Sequence, residues 1–286
     1  MHWINQSLSR GSPRPQLNAL KLGCGLMGIC WLTIGNVFGQ PLPSATDVVA
    51  RMLERSAKVA REEHPSIWAY DRISIKQELD DEGEVLNTTE KIHRVTTLRG
   101  IPFSRLVKVR GQLLSESELR KEDKREAEFR KRLSGRDPAR VAREKEPVIL
   151  KDLMERYRFE VRRRENIDGR PTLQLAFSVA AEKLAEKEKT LQDRILNRLA
   201  GIVWVDEASS EVARLEVCLT EGFSLGLLGI LGSLTECRFT LTRRPMPDGT
   251  WLPLFQETHL TARKLTKSMH FEVREESSNF ELLPVP

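Results

Sequence analysis

The chain has 286 residues, 40% hydrophobic and 30% charged, which is a globular composition with enough apolar material for one large core or two small ones. Its formal charge is +5, but removing Arg10, Arg14 and Lys21 from the 46 Lys+Arg leaves 43 against 41 acidic residues, or +2. The rest of the chain therefore has no basic excess of the kind nucleic-acid binding needs, and no nucleic-acid module is recognisable.

Those three basic residues precede "LGCGLMGICWLTIGNVFG", an uncharged run from Leu22 to Gly39. Basic, then apolar, then small residues is the order of a secretory signal peptide over residues 1–39, with cleavage before Gln40. A retained anchor is the competing reading, because the run is near the lower limit for crossing hydrocarbon. Neither Cys24 nor Cys30 stands in a lipoprotein cleavage context. The expectation is an exported chain, periplasmic or secreted, with residues 40–286 as a single domain.

A helix opens that domain. Ser44 and Asp47 have capping-box spacing, and Val48, Val49, Met52, Leu53, Ser56, Val59 and Ala60 form one stripe before Pro65 ends it. Period-two patterning then predicts three strands through Gly111, with turns at "DDEG" and "RG". Residues 115–147 are nearly all charge, with Leu119, Phe129 and Leu133 as the few large apolar side chains, and read as a charged helical insertion. "PVILKDLMERY" is a further helical piece. Beyond it, "YRFEVRRR" and "TLQLAFSV" flank an Asp168-Gly169 hairpin turn. After a short charged helix, five more strands run to the end. The fold class is α+β: a curved antiparallel sheet of roughly ten strands, a half-open barrel wrapped around helices.

Chemical motifs are few. "GFSLG" matches the G-x-S-x-G nucleophile pattern at Ser224, followed in hydrolase order by Asp248 and then His259 or His270. The segment after it, "LLGILG", carries glycines where that pattern needs a helix, and the remaining strands provide no parallel crossover to mount an acid and a base. No His or Cys spacing suits a metal, and no phosphate loop is present, so no catalytic residue, cofactor or metal is expected. Asp80-Asp81 and Asp206-Glu207 read as solvated turn residues, and Asn87 opens an Asn-x-Thr sequon. Cys218 and Cys237 fall on opposite faces by alternation, which predicts free thiols.

"VWVDEASSEVARLEV", with Trp204 and Asp206, and "PDGTWLP", with Asp248, Gly249, Trp251 and Pro253, resemble two hairpins of the exported lipoprotein-sorting proteins, the LolA/LolB-like family, and of its relatives that sense envelope stress. The resemblance implies a half-open barrel closed by helices around an apolar cavity that accepts acyl chains. The charged insertion, the cysteines and the glycine-rich run depart from the family pattern, and no lid-closing arginine of the carrier can be placed here.

Alternation independently predicts a concave apolar surface from Ile73, Ile75, Val107, Phe159, Leu173, Leu175, Phe177, Leu215, Val217, Phe239, Leu241 and Phe271. An uncharged loop with Phe223, Leu225, Leu227, Leu228 and Ile230 is the candidate to touch lipid; the alternative is a hairpin end built into the core. The expected function is a non-enzymatic carrier for a lipid acyl chain or lipoprotein, with transient membrane contact and its oligomeric state open. An envelope module binding a protein partner is the alternative, and a serine hydrolase using Ser224 the third reading.

Overall fold

The computed structural model describes residues 41–61, 68–98, 101–134, 155–184, 190–225, 232–264 and 267–283. The predicted signal segment, the second half of the charged insertion and most of the predicted lipid-touching loop lie outside them. Pro41–Pro286 is one compact unit.

Helix α1 (Ala45–Arg61) begins where Ser44 Oγ accepts the N–H of Asp47 at 3.1 Å. Four strands follow: β1 (Trp68–Leu79), β2 (Val85–Leu98), β3 (Ile101–Val109) and the two-residue β4 (Gln112–Leu113). The charged insertion contributes α2 (Glu116–Ser134), opened by Ser115 and Glu118, each bonding the other's backbone N–H. After β5 (Tyr157–Ile167) and β6 (Arg170–Val179), α3 (Ala181–Leu184) and α4 (Leu191–Leu196) lead into β7 (Leu199–Asp206). The chain ends in β8 (Val212–Leu219), β9 (Phe223–Leu225), β10 (Gly232–Pro245), β11 (Trp251–Lys264) and β12 (Lys267–Leu282).

All pairings are antiparallel, in one 12-stranded open sheet of order β4-β3-β2-β1-β12-β11-β10-β8-β7-β6-β5, with β9 on β10. Two short strands, β4 and β9, account for the excess over the expected ten; two or three residues are too few to show a period. Two meanders are joined where β1 pairs with β12. Turn chemistry works as expected at Asp168-Gly169, whose φ values of 49° and 79° suit the right-handed twist of a tight hairpin.

Because directly opposed residues share a face, the registers sort every side chain. Following Leu175↔Val203, Val203↔Leu215, Leu215↔Leu241, Phe239↔Thr258, Thr258↔Val273, Val273↔Lys76 and Lys76↔Thr89 traces one face across the sheet. Helix α1 packs on it: Val48, Val49 and Met52 form a core with Leu173, Leu175, Val203 and Val205. The helix is also tied by charge, since Arg55 Nε donates to Glu211 at 2.9 Å and Arg243 reaches the same carboxylate at 3.1 Å.

Helix α2 packs on the other face. Phe129 and Leu133 meet Ile101 and Phe103, and Arg105 donates to Glu126 at 2.7 Å and pairs with Asp123. The few apolar residues of the charged insertion are thus its sheet contact, while Leu119 stays exposed. A third cluster, Tyr70, Val95, Met246 and Leu252, closes the end of the sheet where β10 turns into β11. Arg238 opposes Cys218, so Cys237 points the other way, and both thiols are free.

Gly201 is the tightest backbone approach. A Cβ there would lie 2.0 Å from the Glu216 carbonyl oxygen and 2.9 Å from the Phe177 ring. Gly201→Ala must displace β8 or Phe177, and is expected to cost about 1–3 kcal/mol in urea unfolding; an unchanged midpoint would show that the strands part freely there.

Candidate functional site

Among the described residues, helices α1 and α2 leave different parts of the sheet without a helix packed on them. On the α2 face, the middle of the sheet is a polar ladder: Glu257 opposes Arg274 and His259 opposes Glu272, with His259 Nδ1 3.1 Å from the Glu272 carboxylate. Further along the same face, Trp204 Nε1 donates to Glu165 at 3.0 Å under the Arg214 guanidinium, 5.1 Å from the ring centroid. The ladder groups pair with one another across the strands, as a polar sheet face does.

On the α1 face the middle is apolar. Phe177, Val217, Phe239, Leu241, Leu260, Phe271 and Val273 are half-buried, and the core beneath α1 extends only to β8. Cys237, opposite Leu260, lies in the same band, and burial raises its thiol pKa. The band runs over β6, β8, β10, β11 and β12 as an apolar strip across the sheet.

Of the residues expected on one concave face, Phe159, Leu173, Leu175, Phe177, Leu215, Val217, Phe239, Leu241 and Phe271 do share the α1 face. Leu173 and Leu175 are sealed under α1, with Phe159 and Leu215 against them. Ile73 and Ile75 lie on the opposite face, where Ile73 meets Ile92 and Glu276 and Ile75 meets Arg274. Val107 sits in a bulge, between the pairs Leu106↔His93 and Lys108↔Ile92. Alternation within a strand says which residues go together, but not which set of the next strand joins them. Val203, Val205, Leu260 and Met269 also lie on this face and are absent from the predicted set.

For the expected lipid-touching loop, Phe223 is buried beneath Arg198, 5.6 Å from its ring centroid. Leu225 ends β9 opposite Gly232; Leu227, Leu228 and Ile230 lie outside the described residues. Ser224 pairs with Ser233 at the start of β10, whereas Asp248 lies past its far end, roughly 40 Å away along an extended strand. Asp248 instead accepts from Trp68 Nε1 at 2.8 Å, and His270 Nε2 is 3.1 Å from Asp81. No serine–histidine–aspartate site is assembled. Among the described residues no cluster suits a metal ion, and no helix is long and apolar enough to cross a membrane.

The hairpin residues behind the family resemblance have architectural jobs. Asp206, expected to be solvated, is 1% exposed. Arg170 crosses from β6 to grip it with Nε and Nη2 at 2.7 and 2.9 Å, and the backbone N–H and hydroxyl of Ser209 add bonds of 2.8 and 2.7 Å. The Arg170 guanidinium in turn lies 5.5 Å from the centroid of Trp251. The turn folds back on its own first residue, which burial of a paired carboxylate requires.

No protein-family model matches the chain, and no curated protein does. The likeness to lipoprotein-sorting proteins reappears among solved structures. An outer-membrane lipoprotein-sorting protein domain from Vibrio parahaemolyticus is 14% identical over 83% of this chain and 93% of its own, with a TM-score of 0.33. A DUF1329 family protein from Desulfovibrio piger is 11% identical over 83% and 92%, with 0.32. A LolA superfamily protein from Nitrosomonas europaea is 9% identical over 83% and 94%, with 0.26. TM-scores this low carry no argument for a shared activity.

Burial works to raise the Asp206 pKa, but Arg170 and Ser209 outweigh it and hold the carboxyl below its ordinary value. A depressed carboxyl stabilises the fold fully above the unfolded carboxylate range near pH 4 and loses that contribution as pH falls through the lower folded value. Asp206→Asn is therefore expected to cost about 2–3 kcal/mol at pH 7 and to flatten the acid limb of a urea-unfolding series. An unaltered acid limb would remove Asp206 from the account of stability.

Proposed function

We propose that this protein is an exported, non-enzymatic binder of an acyl chain, carried by a free lipid or a lipoprotein, and that the chain lies along the α1 face from Phe177 through Val217, Phe239 and Leu260 to Phe271. One observation carries the reading: among the described residues neither helix packs on the middle of the sheet, whose side chains there are polar on the α2 face and apolar on the α1 face. A solvated sheet places charge on its water side, as the α2 face does with Glu257, Arg274 and Glu272. A continuous apolar strip on the other side is the surface that gains by covering, at about 25 cal/mol per Å² of area removed from water.

The segment over residues 1–39 directs export, which brings the chain to a compartment where lipid and lipoprotein are cargo. The lipoprotein-sorting resemblance of the two tryptophan-bearing hairpins points the same way. Catalysis has no support in the placement of Ser224, whose carbonyl oxygen accepts from Arg194 at 2.9 Å at the end of the sheet remote from Asp248.

The free thiols supply the test, because Cys237 sits in the apolar band and Cys218 on the opposite face. With oleate at saturating concentration, iodoacetamide alkylation above pH 8, followed residue by residue by mass spectrometry, is expected to slow roughly tenfold or more at Cys237 and to be unchanged at Cys218. Equal rates at Cys237 with and without oleate, from a protein that also releases no lipid on native mass spectrometry, would instead favour the envelope module that binds a protein partner.

A further inference from the structure

The α1 face changes character at its β1 border. Arg72, Ser74 and Lys76 of β1 continue the face of Val273, and on β2 they stand opposite His93, Lys91 and Thr89. Lys76 marks the junction: its ammonium lies 4.2 Å from the centroid of the Phe271 ring, the last aromatic of the apolar strip. One face thus holds a greasy strip and, directly beyond it, a basic corner.

That corner is incompletely satisfied. Arg72 donates to Ser104 Oγ at 3.0 Å and approaches Glu275 at 3.6 Å, yet its Nε is buried with no hydrogen-bond partner. Directly across the pair, His93 Nδ1 is buried without one as well. Two such nitrogens on directly paired residues are costly to leave unsatisfied. At this corner the paired strands place the carboxylates Glu275 and Glu78 among these cations, the latter 3.2 Å from Lys76. Arg72, Lys76 and Lys91 outnumber them, so a positive excess faces the end of the strip.

Resting on the acyl-binding reading, we propose that the bound molecule is an amphiphile with an anionic head, a carboxylate or a phosphate. The head seats against Arg72, Lys76 and His93, while the chain runs back over Phe271, Leu260 and Phe239. The direction follows from this corner: Arg72, Lys76 and Lys91 stand at the β1–β2 end of the strip, so the head lies there and the chain runs back toward β6. A guanidinium and a neighbouring ammonium are the donor groups that such oxyanions take.

Calorimetric titration of the full purified protein with oleate, oleoyl lysophosphatidate and oleyl alcohol tests this. Oleate or the lysophosphatidate is expected to bind roughly tenfold more tightly than the alcohol, and the tighter of the two acids identifies the head. Lys76→Gln, at a half-exposed position, should bring acid and alcohol to within about threefold, chiefly by weakening the acid. Arg72→Lys should retain more of the preference than Arg72→Gln. Equal affinities for acid and alcohol, or a preference that survives both Lys76→Gln and Arg72→Gln, would overturn the head-group assignment and leave the acyl-binding reading standing. Failure of all three ligands to bind would remove both.

Discussion

The pairing of β1 with β12 is the constraint on which the rest depends. It joins the first and last strands of the described chain and so welds two meanders into one sheet. Between Asp71 and Leu79 the register is unbroken, from Asp71↔Ser278 to Leu79↔His270. Side chains alternate with a period of two, so a slip of one residue at this seam would send Arg72 and Lys76 to the α2 face and bring Ile73 and Ile75 into the apolar strip. The amphipathic arrangement of the α1 face exists because this one register holds.

Around that seam the two helices divide the labour. Helix α1, fixed by Val48, Val49 and Met52 and by the Arg55–Glu211–Arg243 charges, packs on part of the β5–β8 half of one face. Helix α2 seals β2 and β3 on the other with Phe129 and Leu133. The insertion that reads as an excess of charge is therefore a cover for the reverse of the sheet, its carboxylates spent on Arg105 and on the backbone N–H of Leu106. The end that carries the β7–β8 and β10–β11 turns is locked by side chains. Asp206 takes Arg170, Arg170 lies by Trp251, and Asp248 takes Trp68. The tryptophans and aspartates of these two hairpins thus build the frame.

Much of this was legible from residue order. The long strands follow from alternation, the α1 stripe from its spacing, and the Asp168-Gly169 hairpin from two positions that must accept positive φ. What local pattern cannot carry is how one strand's two faces match the next strand's. Ile73 and Phe271 look alike in sequence, and only the pairing Ile73↔Glu276 against Lys76↔Val273 separates them. Asp206 was hidden for a related reason: its partner Arg170 is distant in sequence, and a carboxylate at a turn reads as solvated until that partner is in view. Strands as short as β4 and β9 exist only because a neighbour is there to pair with them.

The most direct measurement is a crystal structure of the protein grown with a terminally brominated fatty acid, with bromine located by anomalous scattering. Bromine on the α1 face near Phe177 and Val217, with the carboxylate toward β1, is the predicted result. Bromine on the α2 face or at a lattice contact, with the strip from Phe177 to Phe271 covered by the protein's own side chains, would contradict it.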